Sequence, residues 1–90
     1  MIKTIHFLVS GKVQGVFFRM ETKQQADQQA LGGWVRNTSD GRVEGMVTGE
    51  ATKLSIFRKW LQQGPPLADV NEVEVEERET EEFEGFRIRY

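Results

Sequence analysis

The residues that could do chemistry fall in two short stretches. Residues 11–19 read GKVQGVFFR, with Gly11 and Gly15 four apart and Arg19 at the close. Two glycines at that spacing suggest a loop whose backbone takes unusual dihedrals or closely approaches something. A helix-forming run follows at once. The first amides of a helix have no partners inside it, and the dipole there favours negative charge, so the loop is a candidate anion site. Arg19 adds a planar fork able to grip two oxygens of one phosphate. A cation at a helix start opposes the dipole, which a nearby anion explains. The loop is neither a Walker loop, since no GK[ST] follows at the required spacing, nor GxGxxG. The second stretch, WVRN at residues 34–37, ends on Asn37. By itself, an Asn just before a hairpin reads as a turn residue.

Composition narrows the chemistry further. The chain has 90 residues, no Cys, and His6 as its single His. That excludes disulfides, a thiolate nucleophile and Cys-ligated zinc or iron–sulfur clusters, and one His cannot build a His-rich metal site. No metal and no cofactor is expected. The longest apolar runs are only a few residues, so no transmembrane helix and no membrane partner is expected. Residues 1–12 do not read as a secretory signal, which makes the cytoplasm the expected compartment. The length suits one small domain over residues 1–90. The net charge of −2 conceals a split: residues 1–70 carry nine Lys/Arg against six Asp/Glu, and residues 71–90 three against eight. A strongly basic nucleic-acid footprint is absent, while a local anion site in the first part fits.

Periodicity supplies the elements that must position these residues. Ile5, Phe7 and Val9 share one face of a predicted strand over 4–10, with the loop placed at 11–19. Residues 19–31 predict a helix, with a stripe running from Phe18 through Thr22, Ala26 and Ala30 and a stop at Gly32-Gly33. A hairpin turn at Asp40-Gly41 joins strands at 34–37 and 42–48. Leu54, Phe57 and Leu61 mark a second helix over 51–62, ended by Gly64-Pro65-Pro66. Val73 and Val75 alternate with Glu72, Glu74 and Glu76 in a strand over 70–77, and Phe86, Ile88 and Tyr90 alternate in a short last strand. The order is ferredoxin-like βαββαβ: an α+β two-layer sandwich with an antiparallel sheet, two helices on one face and an extra short C-terminal strand. A right-handed crossover makes strand 34–37 parallel to strand 4–10, with 42–48 between them. The ends of the first two strands then share one edge of the sheet, which brings the 11–19 loop near Asn37.

Two signatures carry a resemblance. Gly11-Lys12-Val13-Gln14-Gly15-Val16-Phe17-Phe18-Arg19 resembles the first motif of the acylphosphatase family, G-x-V-Q-G-V-x-F-R. Gly33-Trp34-Val35-Arg36-Asn37, then Asp40-Gly41-x-Val43-Glu44-Gly45 and Gly49, resembles the second, and the ending Gly85-Phe86-Arg87-Ile88-Arg89-Tyr90 resembles the family's ending. The resemblance implies hydrolysis of acyl phosphates to a carboxylate and inorganic phosphate, without a metal. It implies that Arg19 binds the phosphoryl group and that Asn37 holds the attacking water. It also implies that the amides of Gly15, Val16, Phe17, Phe18 and Arg19 cradle the phosphate oxygens.

The chemistry fits a chain so short of catalytic residues. The leaving carboxylate has a conjugate acid of pKa ~4 and departs without general-acid help. Phosphoryl transfer through a loose transition state needs mainly positioning and charge stabilisation. Since a carboxamide is a poor base, the water's proton is expected to pass to a phosphate oxygen of the substrate. Phe18 is expected in the core and Phe17 at the mouth of the site, against the acyl part. His6 is given no role, and Lys12 and Arg36 could add positive potential or be ordinary solvated charge. Acetyl phosphate, carbamoyl phosphate and 1,3-bisphosphoglycerate are all chemically acceptable, and the open, shallow site expected would not discriminate strongly among them. Inorganic phosphate is the expected product ligand. The charged outer sheet face favours a monomer. The rival class is a non-catalytic phosphate- or RNA-binding module of the same fold. The RNP1 pattern is absent and the chain is acidic, so no nucleic-acid partner is expected.

Overall fold

The computed structural model describes residues 1–90. Along the chain come β1 (Ile2–Lys12), α1 (Phe18–Gln28), β2 (Gly32–Asn37), β3 (Val43–Glu50), α2 (Ala51–Gln63), β4 (Asp69–Arg78) and β5 (Phe86–Ile88). The sheet order is β4-β1-β3-β2-β5. β3 lies between β1 and β2 and is antiparallel to both, as the topology requires. The extra strand β5 joins β2 in parallel. Its direction follows from the route of the chain. β4 ends beside Thr4 at the start of β1. The connection then crosses under the sheet, where the Glu81 amide donates to Thr4 Oγ1, and can only travel back upward beside β2.

Alternation sorts the two faces. Ile5, Phe7, Val9, Val35, Val43 and Val47 are buried beneath the helices. α1 lies against β2 and β5, and α2 against β3 and β4. Leu54, Phe57 and Leu61 form the buried stripe of α2 at the expected spacing. Phe57 packs edge-on against Phe7, ring centroids 5.6 Å apart, and tilts against Phe86. Phe18 meets Trp60 at 5.6 Å, tying the first turn of α1 to α2. Gly45 is required where Phe7 crosses β3, because a Cβ there would collide with the Phe7 ring and the Trp34 carbonyl.

Among the boundaries that differ from expectation, three involve glycines. β1 continues through Gly11 to Lys12, and Gly11 sits at a register shift against β4 rather than in the loop. α1 stops at Gln28, not near Leu31. Ala30 takes the left-handed conformation, its amide bonds the Asp27 carbonyl, and the Leu31 amide bonds the Ala26 carbonyl. That is a Schellman cap with Ala where glycine is usual, completed by the buried Leu31. Gly32 and Gly33 belong instead to β2, which they enter against the Phe83 and Met46 carbonyls.

Candidate active site

The loop between β1 and α1 is anchored by alternate side chains. Val13, Val16 and Phe18 are buried, while Gly15 and Phe17 face outward. Gly15 has φ 75° and Phe17 has φ 66°, so two left-handed residues flank Val16. Such reversals gather successive N–H groups on one concave side, a geometry that binds anions. The first helical bond of α1 runs from the Glu21 amide to the Phe17 carbonyl. The amides before it have no intrahelical partner. Phe17 occupies the N-cap position and supplies no side-chain cap.

Arg19 extends from the first turn of α1. No ion pair of the molecule involves it. Its guanidinium stands 5.0 Å from the centre of the Tyr90 ring. Asn37 ends β2, half-buried, and its carboxamide makes no hydrogen bond within the protein. Gly15, Arg19 and Asn37 line one cavity of about 250 Å³, together with Val13, Phe17, Phe18, Met20, Ile88 and Tyr90. The residues that the sequence placed at one sheet edge therefore meet there. Val16 is buried in the core and does not line the cavity.

A feature the sequence did not announce holds the two halves of the site together. Both amide hydrogens of Gln14 are used: Nε2 donates to the Thr38 carbonyl at 2.8 Å and to the Arg42 carbonyl at 2.9 Å. Those carbonyls flank the β2–β3 turn just beyond Asn37. The turn is also braced internally. Thr38 Oγ1 bonds Asp40, the Arg42 amide donates to Thr38 Oγ1 at 2.9 Å, and the Arg42 guanidinium grips Asp40. The hydrogen bonds from Arg42, and then from Thr38, hold the Asp40 carboxyl at about 2, below its ordinary range. Gln14 lies inside the quoted motif, but only the folded chain reveals its partners. Tyr90, Ile88 and Met20 were likewise not assigned to the site. Arg36, read from the sequence as either added positive potential or ordinary solvated charge, bonds Glu44 on the opposite sheet face. No group of three or more His, Cys, Asp or Glu side chains converges in the structure.

Residues 5–88 match the acylphosphatase family. The chain belongs to that family. An acylphosphatase of Pelotomaculum thermopropionicum is 48% identical over 86 residues, 94% of either chain. The structure of an acylphosphatase from Coxiella burnetii superposes with a TM-score of 0.95 at 45% identity, covering 98% of this chain and 93% of that one. The crystal structure of acylphosphatase from Bacillus subtilis superposes at 0.94 with 37% identity over 100% of both. The activity is thus hydrolysis of acyl phosphates, and the substrate is a small-molecule acyl phosphate.

Proposed function

We propose that acyl phosphate hydrolysis runs by in-line attack of one water on a phosphoryl group held at the 15–19 loop. Arg19 and the amides of Gly15, Val16, Phe17, Phe18 and Arg19 bind the phosphoryl oxygens and stabilise charge in the transition state. Asn37 orients the water. A bond forms from the water oxygen to phosphorus as the bond from phosphorus to the acyl oxygen breaks, and the electron pair leaves with the carboxylate. One water proton passes to a phosphoryl oxygen, so no side chain has to act as base. The supporting observation is that Arg19 makes no ion pair, Asn37 makes no side-chain hydrogen bond, and both border the same cavity as the bent loop.

We extend the proposal to the whole chain as one domain over 1–90, working as a cytoplasmic monomer without metal, cofactor or nucleic-acid partner. No helix is long and apolar enough to cross a membrane. On the open face the central strands β1 and β3 carry His6, Leu8, Glu44 and Met46, and the one aromatic of that face, Trp34 on β2, stacks with Arg89 and Arg36, short of the two- or three-ring platform that single-stranded bases need. The test is phosphate release from benzoyl phosphate, with and without EDTA. Rapid, EDTA-insensitive release, absent with p-nitrophenyl phosphate, supports the mechanism. Loss of release in EDTA refutes its metal-free form.

A further inference from the structure

We propose that Phe17, Met20, Ile88 and Tyr90 form an acyl-side subsite that selects a bulky apolar acyl group. The inference rests on the phosphoryl site proposed above and names the class of substrate that fits beside it. The cavity measures about 250 Å³, more than a phosphoryl group and one water fill. What remains beyond Arg19 and Asn37 is largely apolar. Phe17, Met20, Ile88 and Tyr90 supply it, with the buried Val13 and Phe18 behind. Apart from the Tyr90 hydroxyl, the only polar side chains on the lining are those of Arg19 and Asn37. The amino group of a carbamoyl phosphate, or a second phosphate on the acyl chain, meets no dedicated partner there.

Phe17 is the most telling member. It stands at a helix N-cap, where Ser, Thr, Asp or Asn would bond a free amide. Its φ of 66° is one that large side chains adopt only at a cost. It is also 61% exposed, and Met20 one turn away is 47% exposed. A small polar residue would suit that position on all three counts. A large apolar side chain that breaks several local rules at the rim of a site points to a ligand that covers it. The Tyr90 ring, itself fully exposed, stands beside the Arg19 guanidinium at the phosphoryl end and offers a further uncovered apolar face. The shallow site expected from the sequence would discriminate little. A wall of four apolar side chains discriminates through the area it removes from water.

The test compares kcat/KM for cyclohexanecarbonyl phosphate and acetyl phosphate, whose leaving carboxylates are of similar acidity. Differences then report acyl binding rather than leaving-group chemistry. The wild-type ratio is expected to exceed about tenfold, the discrimination typical of an apolar pocket. Two variants probe the wall. Phe17→Asn suits the left-handed backbone, and Met20→Gln preserves an exposed helical position. Each is expected to bring the ratio severalfold closer to one, read within the same protein so that any general loss of activity cancels. A wild-type ratio near one, or a ratio unchanged in both variants, overturns the subsite while leaving acyl phosphate hydrolysis intact. Failure to hydrolyse either substrate overturns the phosphoryl site and the subsite together.

Discussion

Arg19 and Arg36 occupy neighbouring parts of one small fold under opposite conditions. On the open sheet face, Arg36 bonds Glu44 at 2.6 and 2.8 Å, and His6 Nε2 lies 2.7 Å from the other oxygen of the same carboxylate. Every member has a partner, and the His6 hydrogen bond, followed by that of Arg36, pulls the Glu44 carboxyl below its ordinary value of 4.5. At the loop edge, Arg19 has no carboxylate, the Asn37 side chain has no hydrogen bond, and the amides of residues 15–19 donate none of the turn and cap bonds. Paired polar groups stabilise a native state; unpaired ones beside a cavity remain available to a ligand. The contrast also separates Gln14 from Asn37. Two carboxamides stand at the same edge, and the one whose amide hydrogens are both bonded braces the turn beyond the other's strand.

The largest effect that could break this contrast lies at Arg19. Arg19→Ala is expected to lower kcat/KM by about 10³-fold or more, as loss of a phosphate-binding Arg does elsewhere, and to weaken inhibition by inorganic phosphate. Arg36→Ala is expected to leave both unchanged and to cost at most about 1 kcal/mol of stability, because its pair is half exposed. Equal effects of the two substitutions on turnover would erase the distinction. Next comes Asn37→Ala, expected to lower kcat by about 10²-fold with the phosphate inhibition constant nearly unmoved, since it touches the water rather than the phosphoryl group. Gln14→Ala sharpens the comparison. Release of the clamp lets Asn37 shift against the loop, and kcat is expected to fall about tenfold while phosphate affinity holds. The smallest effect belongs to the paired face. A carboxyl with a lowered folded-state pKa contributes stability above its unfolded value and loses it as pH falls through the folded one. Thermal melts of wild type are therefore expected to lose stability as pH falls below about 4.5, more steeply than those of Glu44→Gln.

Much of this arrangement was legible in the residues because it depends on period and order. Ile5, Phe7 and Val9 declared a strand, Leu54, Phe57 and Leu61 a helix, and the crossover rule alone brought the loop to Asn37. The errors came where a residue acted against its type. Gly32-Gly33 looks like a helix stop, yet Ala30 takes the left-handed cap and the glycines serve close strand contacts. Gly11 looks like a turn and is a strand irregularity. Gln14, Arg36 and Tyr90 were opaque for another reason. Their partners lie on other elements, and no local pattern records which face of a neighbouring strand a long side chain will reach.

The central claim is that inorganic phosphate binds where the polar groups are unpaired. Titrating phosphate into the ¹⁵N-labelled protein while recording amide shifts tests it most directly. The account predicts saturable shifts in the amides of residues 15–19 and little change at His6, Arg36 and Glu44. Shifts centred on the open face, with the loop amides unmoved at saturation, would contradict it.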